Sequence, residues 1–262
     1  MRRHDVSPLT RITELPVNLL PDLQKRIALV TGGSRGIGRA VALALAGAGA
    51  DVAVNYRDRE TEAEAVVAAI RAEGRRAIAV RADVSLSDAV RGMIGRIEAE
   101  LGAVDVLVNN AGIAIIRGID DLTEADFDQT IAVNLKSAFL CMQAVLPGMR
   151  ARQWGRIVNI SSGAARGAGG IGAHYNASKA GMEGLTRGYA ARVVKEGITV
   201  NAVAPSLIDT DMMHARRDQY VARIPLGRMG TAEEVAQAVL MVIGNAYMTG
   251  QTVQLNGGTN FI

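Results

Sequence analysis

Tyr175 and Lys179 stand four residues apart in a stretch, His174 to Lys195, whose pattern predicts a long helix. That spacing puts both side chains on one helical face, one turn apart. A free phenol, with a pKa of about 10, is a poor acid-base group at neutral pH, but a neighbouring ammonium favours phenolate and lowers that value. The pair could therefore serve as a tunable proton donor, although the same pattern also describes an ordinary surface pair. Two further polar residues fall at suggestive positions. Ser162 lies thirteen residues before Tyr175 and two past Ile160, the end of an expected strand, where the plain alternative is a turn hydroxyl. Asn134, in Ala132-Val133-Asn134-Leu135, is a poor helix former, and where it interrupts backbone hydrogen bonds it can hold a water; a simple buried asparagine is the other reading.

Such residues need a scaffold and a co-reactant, and both point to the stretch from Arg26 to Gly38. Ile27-Ala28-Leu29-Val30 has no helical period and runs into a glycine cluster, as a strand buried on both faces does. Ile37, Ala40, Val41, Leu43, Ala44 and Leu45 then recur at helical spacing. Gly32, Gly36 and Gly38 therefore sit at a strand-to-helix turn, with Ser34, Arg35 and Ile37 between and beside them. Unpaired N–H groups and the positive end of the helix dipole face outward there and invite a phosphate. At the end of the next strand stands Asn55-Tyr56-Arg57, where an acidic side chain would bind ribose hydroxyls and repel a 2′-phosphate. Arg57 with Arg35 could instead grip that phosphate, so NADP(H) is expected over NAD(H). Asp58 dilutes this positive field, and two solvated surface arginines are the alternative.

Strand and helix patterns alternate along the rest of the chain. Strands are expected at 51–55, 76–80, 103–109, 156–160, 198–203 and 252–255, with helices at 61–72, 86–101, 122–133, 137–149, 174–195 and 233–243. This predicts one α/β domain, a Rossmann-type doubly wound parallel sheet of about seven strands with helices on both faces. Ligands then belong at the carboxyl ends of the strands. Residues 23–262 form that domain, and residues 1–22 read as an N-terminal arm rather than a signal peptide, because Asp5, Glu14 and three prolines interrupt them. The segment 161–173 is a tract of small residues.

The composition excludes several other classes. Lys and Arg exceed Asp and Glu by only three charges, without blocks, so nucleic acid is not an expected partner. The single cysteine, Cys141, excludes an internal disulfide, fits a reducing, cytoplasmic compartment, and lies in an apolar helical run that suits packing. No uninterrupted apolar run is long enough to cross a bilayer, so no membrane partner is expected. No metal site is expected.

Taken together, Thr31-Gly32-Gly33-Ser34-Arg35-Gly36-Ile37-Gly38, Asp83-Val84, Asn109-Asn110-Ala111-Gly112, Asn134, Ser162 and Tyr175-x-x-x-Lys179 resemble the short-chain dehydrogenase/reductase family over 25–258. Within it the chain is most similar to the 3-oxoacyl-acyl-carrier-protein reductases, through residues 198–205, 224–228 and the ending 249–258. The resemblance implies that Asp83 and Val84 meet the adenine ring, and that Asn110, Ala111 and Gly112 close over the cofactor. It further implies that Pro205, Ile208 and Thr210 flank the nicotinamide and pyrophosphate. Tyr175 would protonate a substrate oxygen that Ser162 hydrogen-bonds, Lys179 would hold the ribose and depress the tyrosine pKa, and Asn134 would relay the proton through a water.

The implied reaction is NADPH-dependent reduction of a 3-oxoacyl thioester, carried on acyl carrier protein or coenzyme A, by a homotetramer with 137–149 and 174–195 at one interface. A reductase of a free small ketone or sugar, or a binding-only NADP(H) sensor, are the alternatives. Arg150, Arg152 and Arg156 could offer a basic rim to an acidic carrier, or be solvated helix-end charges. Three departures stand out: Ser206 replaces the family's usual glycine and bears on the turn beside the nicotinamide, while the lid segment 211–223, short and polar apart from Met212 and Met213, and the shortened segment 243–249 leave the substrate open.

Overall fold

A computed structural model describes residues 21–210 and 221–261. Its centre is a parallel sheet of seven strands, β1 (Ile27–Val30), β2 (Asp51–Tyr56), β3 (Ala77–Arg81), β4 (Val106–Asn109), β5 (Gly155–Ile160), β6 (Ile198–Pro205) and β7 (Thr252–Leu255). They lie in the order β3-β2-β1-β4-β5-β6-β7. Side-chain alternation sends Ala28 and Val30 into the core on one face, and Ile27 and Leu29 into the core on the other. The helices α1 (Gly36–Gly47) and α2 (Glu60–Ala72) cover the first face with a late helix, α7 (Ala232–Gly244). The second face carries α3 (Ser87–Glu100), α5 (Ser137–Arg152) and α6 (Ala173–Val193). The doubly wound parallel sheet expected from the alternating pattern is thus the fold.

Two details differ from the expectation. The helical segments expected at 122–133 and 137–149 form one continuous run, α4 (Glu124–Ile131) passing into α5 through a π-helical turn, Ala132–Lys136. By length and composition this run could cross a membrane, contrary to the reading of separate shorter segments. Its interior residues, among them Met142, Val145 and Met149, pack against the sheet and α3, as a core helix does. The second difference concerns Arg150, Arg152 and Arg156. They lie at the N-terminal edge of the sheet, so they form no rim at the carboxyl ends of the strands; Arg150 is a half-exposed helix-end charge, while Arg152 and Arg156 are tied inward. Arg150 pairs with Glu196 at 2.6 Å, and Arg152 donates to Asp105 Oδ1 at 3.1 Å. Arg156 is buried, reaches the Ile243 and Gly197 carbonyls, and stacks on Trp154, which Arg26 covers at 3.8 Å.

The expected N-terminal arm lies outside the described residues except for Pro21 and Asp22, as do Met212, Met213 and the lid as far as position 220. Cys141 is buried in α5, where burial pushes its thiol up to about 12, so it packs and does not react.

Asp105 organises the N-terminal edge, accepting from the Ile27 amide at 3.1 Å as well as from Arg152, with Arg26 at 3.5 Å. Asp105→Ala leaves a buried amide and two cations short of their acceptor. It should lower the free energy of unfolding by about 2–4 kcal/mol in urea titrations, and a change below about 0.5 kcal/mol would contradict this account.

Candidate active site

Between β1 and β4 the sheet order reverses, and the chain leaves the two strands toward opposite faces, opening a crevice at their carboxyl ends. The turn after β1 fills its floor. Gly32 and Gly36 have φ of 61° and 52°, a region open to glycine at little cost. At Gly38 a Cβ would stand 2.5 Å from Asn110 Nδ2 and closer still to the Gly32 carbonyl oxygen. Helix α1 begins at Gly36 with no side-chain cap from Arg35, so its first-turn amides face the crevice.

Three side chains hold this turn. Asn110 Nδ2 donates to the Thr31 and Gly32 carbonyls at 2.9 and 3.0 Å. Thr31 Oγ1 accepts the Asn110 and Ala111 amides, both at 3.0 Å. Asn55, at the end of β2, accepts from the Gly32 amide at 3.2 Å and donates across to the Val80 and Ala82 carbonyls of β3 and its exit. Thr31 and Asn55 were not nominated from the sequence. The signal for Asn55 was present, since an amide ending an otherwise apolar strand must find partners.

The crevice is a cleft of about 360 Å³. Gly32, Ser34, Arg35, Gly36, Ile37 and Gly38 line it from the turn, with Asn110, Ala111 and Gly112 from the exit of β4. Tyr56, Arg57, Asp83 and Val84 line one end, and Pro205 and Thr210 the other. Tyr56 packs its ring in the core and donates its hydroxyl to Glu60 at 3.0 Å, so it offers the cleft little beyond its backbone and ring edge. Arg57 is half exposed and tied to Asp58 at 2.6 Å, the dilution that Asp58 foreshadowed. Arg59, which sequence reasoning passed over, joins Arg35 and Arg57 on this rim. Asp83 accepts from the Ser85 amide and hydroxyl at 2.9 and 2.6 Å, a turn role. Burial raises its carboxyl, but those bonds and Arg57 outweigh this and hold it below the usual range.

Ile208 is not brought to this cleft. Its side chain belongs to the core and to a second cavity of about 340 Å³, because its backbone bridges Gly230 and turns it toward α7. Ser206, which replaces a glycine of the resembling family, keeps an ordinary backbone; the left-handed residue is Leu207, with φ of 50°. Ser206 leans on Gly163, where an added Cβ would meet it at 2.9 Å.

The reacting end lies beyond Gly112. A Cβ placed there would sit 3.3 Å from Asn134 Oδ1 and 3.7 Å from Lys179 Nζ. Asn134 is fully buried in the π-helical turn, accepting from the Ile113 amide at 2.8 Å and donating to the Ile113 carbonyl at 3.0 Å and Ser178 Oγ at 3.2 Å. Ser178 in turn donates to the Tyr175 carbonyl at 2.7 Å. Lys179 Nζ donates to the Ile160 carbonyl at 2.8 Å and stands 5.8 Å from the Tyr175 ring centroid. Ser162 stands beside the Tyr175 hydroxyl, whose pKa it pulls down, and accepts the Ala164 amide at 3.2 Å, whereas its neighbour Ser161 is buried and spent on the Lys179 carbonyl. The four residues singled out for chemistry therefore meet in one place.

Their electrostatics differ from the expectation in one respect. Burial pushes the Tyr175 phenol above its ordinary value, only partly offset by the bond with Ser162. The lowering expected from Lys179 is not the dominant effect, because the ammonium is turned onto the Ile160 carbonyl rather than onto the phenol oxygen. A phenol kept protonated suits a proton donor. Burial lowers Lys179 itself from 10.5 to about 8.

The family model for short chain dehydrogenases matches residues 26–221. The chain belongs to the short-chain dehydrogenase family. The 3-oxoacyl-acyl-carrier-protein reductase FabG of Staphylococcus epidermidis is 44% identical over 239 residues, 88% of this chain and 97% of the relative. Among solved structures, a short chain dehydrogenase from Burkholderia cenocepacia J2315 in complex with NADP is 42% identical, with a TM-score of 0.85 over 92% of this chain and 100% of that one. A candidate gluconate dehydrogenase from Agrobacterium tumefaciens is 36% identical, with a TM-score of 0.86 over 91% of this chain and 97% of that one. This short-chain dehydrogenase is an oxidoreductase.

The depressed Lys179 pKa has a thermodynamic consequence. Its folded value, about 8, lies below the 10.5 of the ordinary group, so burying the ammonium costs stability at neutral pH, and the cost is relieved as pH rises from about 8 to 10.5. Lys179→Met should therefore stabilise the protein at pH 7 by about 1–3 kcal/mol, the lost bond to Ile160 offsetting part of the gain. Urea unfolding at pH 7 and pH 10 checks this: the gain should shrink at the higher pH, and destabilisation at pH 7 would contradict it.

Proposed function

We propose that this short-chain dehydrogenase uses NADPH to reduce a 3-oxoacyl thioester, carried on acyl carrier protein or coenzyme A, to the 3-hydroxyacyl thioester. The observation that supports the chemistry is the convergence beyond Gly112 of Asn134, Lys179 and Tyr175, with Ser162 beside a phenol that burial raises above its ordinary value. The cofactor is NADP(H), and the structure fits it: the glycine floor that a Cβ would fill, the uncapped first turn of α1, and a rim carrying Arg35, Arg57 and Arg59. When bound, its nicotinamide supplies the hydride.

The chain's own residues do the rest. The α1 amides and the arginines hold phosphate groups. Tyr175 gives its proton to the carbonyl oxygen as negative charge develops there, and Ser162 holds that oxygen with a second hydrogen bond. Lys179, charged below about pH 8, stands between Ile160 and Gly112, in place to hold a ribose hydroxyl. Asn134 fixes the segment entering at Ile113 through that residue's amide and carbonyl, and a water beside the π-helical turn resupplies the proton. The 44% identity to a 3-oxoacyl-acyl-carrier-protein reductase supports the thioester. The gluconate dehydrogenase likeness favours, as a second reading, a free sugar-derived ketone. A binding-only sensor has less support, because Asn134, Ser162, Tyr175 and Lys179 are assembled together. Cytoplasmic residence and a homotetramer belong to the same proposal; the half-exposed Phe139 on α5 supports an interface there.

The deciding experiment follows NADPH oxidation with acetoacetyl-CoA beside a panel of small ketones and sugar-derived ketones, repeated with NADH. Turnover of the thioester with NADPH is the expected result, and silence on the thioester with turnover of a free ketone would replace it by the second reading. Tyr175→Phe should lose at least about 100-fold in kcat while still binding NADPH, and unchanged reduction would remove Tyr175 as the acid. Arg57→Glu should raise KM for NADPH about tenfold with little change for NADH; equal effects on both would mean that Arg57 does not read the 2′-phosphate.

A further inference from the structure

Ser162 sits in a tract that has little of its own to hold it in place. Of the thirteen residues from Ser161 to Ala173, five are glycine and four alanine, and Arg166 alone carries a charge. Arg166 ends the single 3-10 turn that Ser162 begins: the Ala165 amide donates to the Ser162 carbonyl at 2.9 Å, and the Arg166 amide to the Gly163 carbonyl at 3.3 Å. From there its Nε donates to Glu183 Oε2 at 2.9 Å.

Glu183 is 4% exposed, on α6, four residues past Lys179 and eight past Tyr175, and so on their face of the helix. Its other oxygen stands 3.5 Å from Ser161 Oγ, which donates to the Lys179 carbonyl at 3.2 Å. The carboxylate is therefore the point where the Ser162 tract and the helix of Tyr175 and Lys179 are fastened together, and a buried carboxylate requires its cation. A second tie, Asn176 Nδ2 to the Gly167 and Ala168 carbonyls at 2.7 and 2.6 Å, holds the part of the tract beyond Arg166. Ser161 fastens the start of the tract to α6 through the Lys179 carbonyl, and among the described side-chain hydrogen bonds the Arg166 pair is what ties the 3-10 turn itself, residues 163–166, to that helix.

We propose that Arg166 is a positioning residue, whose ion pair with Glu183 keeps Ser162 in reach of Tyr175. This rests on the reading that Ser162 and Tyr175 act on the substrate oxygen. The directed Nε–H is part of it, since lysine supplies the charge but not that donor.

The test is a double-mutant cycle between Arg166→Met and Ser162→Ala, run with whichever ketone the wild type turns over, so that the choice of substrate does not enter. Arg166→Met should lower kcat about tenfold, with the NADPH dissociation constant, read by fluorescence, within about twofold of wild type. In the Ser162→Ala background it should cost nothing further, because the group it positions is gone. Arg166→Lys should recover part of the loss. To avoid an unpaired buried carboxylate that could unfold the protein, Arg166→Met combined with Glu183→Leu must show the same loss and the same coupling to Ser162.

Losses that multiply in the cycle, a loss confined to NADPH affinity, or an unchanged kcat would overturn the proposal. A Ser162→Ala variant as active as wild type would remove the underlying reading and the proposal with it. An impaired Ser162→Ala variant on which Arg166→Met acts independently removes the proposal alone.

Discussion

Everything at the functional edge depends on how closely the backbone after β1 can approach the exit of β4. Asn110 must bring its amide to both the Thr31 and Gly32 carbonyls, and there is room only because Gly38 has no Cβ to stand between them. That one close approach sets the direction of α1, leaves its first amides facing the cleft, and fixes where Ala111 and Gly112 run. Gly112 is then near enough to Asn134 and Lys179 for the cleft beside the glycine turn and the group around Tyr175 to form one continuous candidate site.

The two edges of the sheet are built on different principles. At the N-terminal edge the charges are consumed within the protein: Asp105 collects an amide and two arginines, and Trp154 is covered by Arg26 and Arg156. At the C-terminal edge polar groups are positioned but not all used up. The α1 amides lack a side-chain cap, and the π-helical turn at Asn134 breaks the regular hydrogen-bond ladder. Internal ion pairs thus gather at one edge and the candidate site lies at the other, as parallel strands with their helix N-termini at the carboxyl ends favour.

The reacting end carries its own energetic cost. Lys179 is buried at the expense of its preferred charged form, and Tyr175 is kept from ionising by the same dry surroundings. Such groups persist where the surrounding structure over-determines them. Here Asn134, Ser178 and Ser161 fix the backbone around both residues through hydrogen bonds that a substitution for chemistry would not disturb.

The sequence by itself determined the sheet and most of the site, because both are written in local terms. A four-residue apolar run followed by spaced glycines can be little other than a buried strand entering a helix, and Tyr175 and Lys179 share a face by helical geometry alone. Ser162 was told from Ser161 by the family resemblance, since no local pattern separates two adjacent serines. What the tertiary structure decided were the partners, which no local pattern specifies. Arg150, Arg152 and Arg156 read either as a basic rim or as helix-end charges, and only the packing of α5 and β5 placed them at the opposite edge, Arg150 half-exposed and Arg152 and Arg156 tied inward. Ile208 fits the pattern of a ligand contact, yet its bridge to Gly230 turns the side chain into the core. Asn55, Thr31 and Arg59 become part of the site through β2–β3 pairing and the course of the β1 exit. The rise in the Tyr175 pKa likewise follows from burial and from where Lys179 points, and those are properties of the assembled volume around a residue rather than of its spacing along the chain.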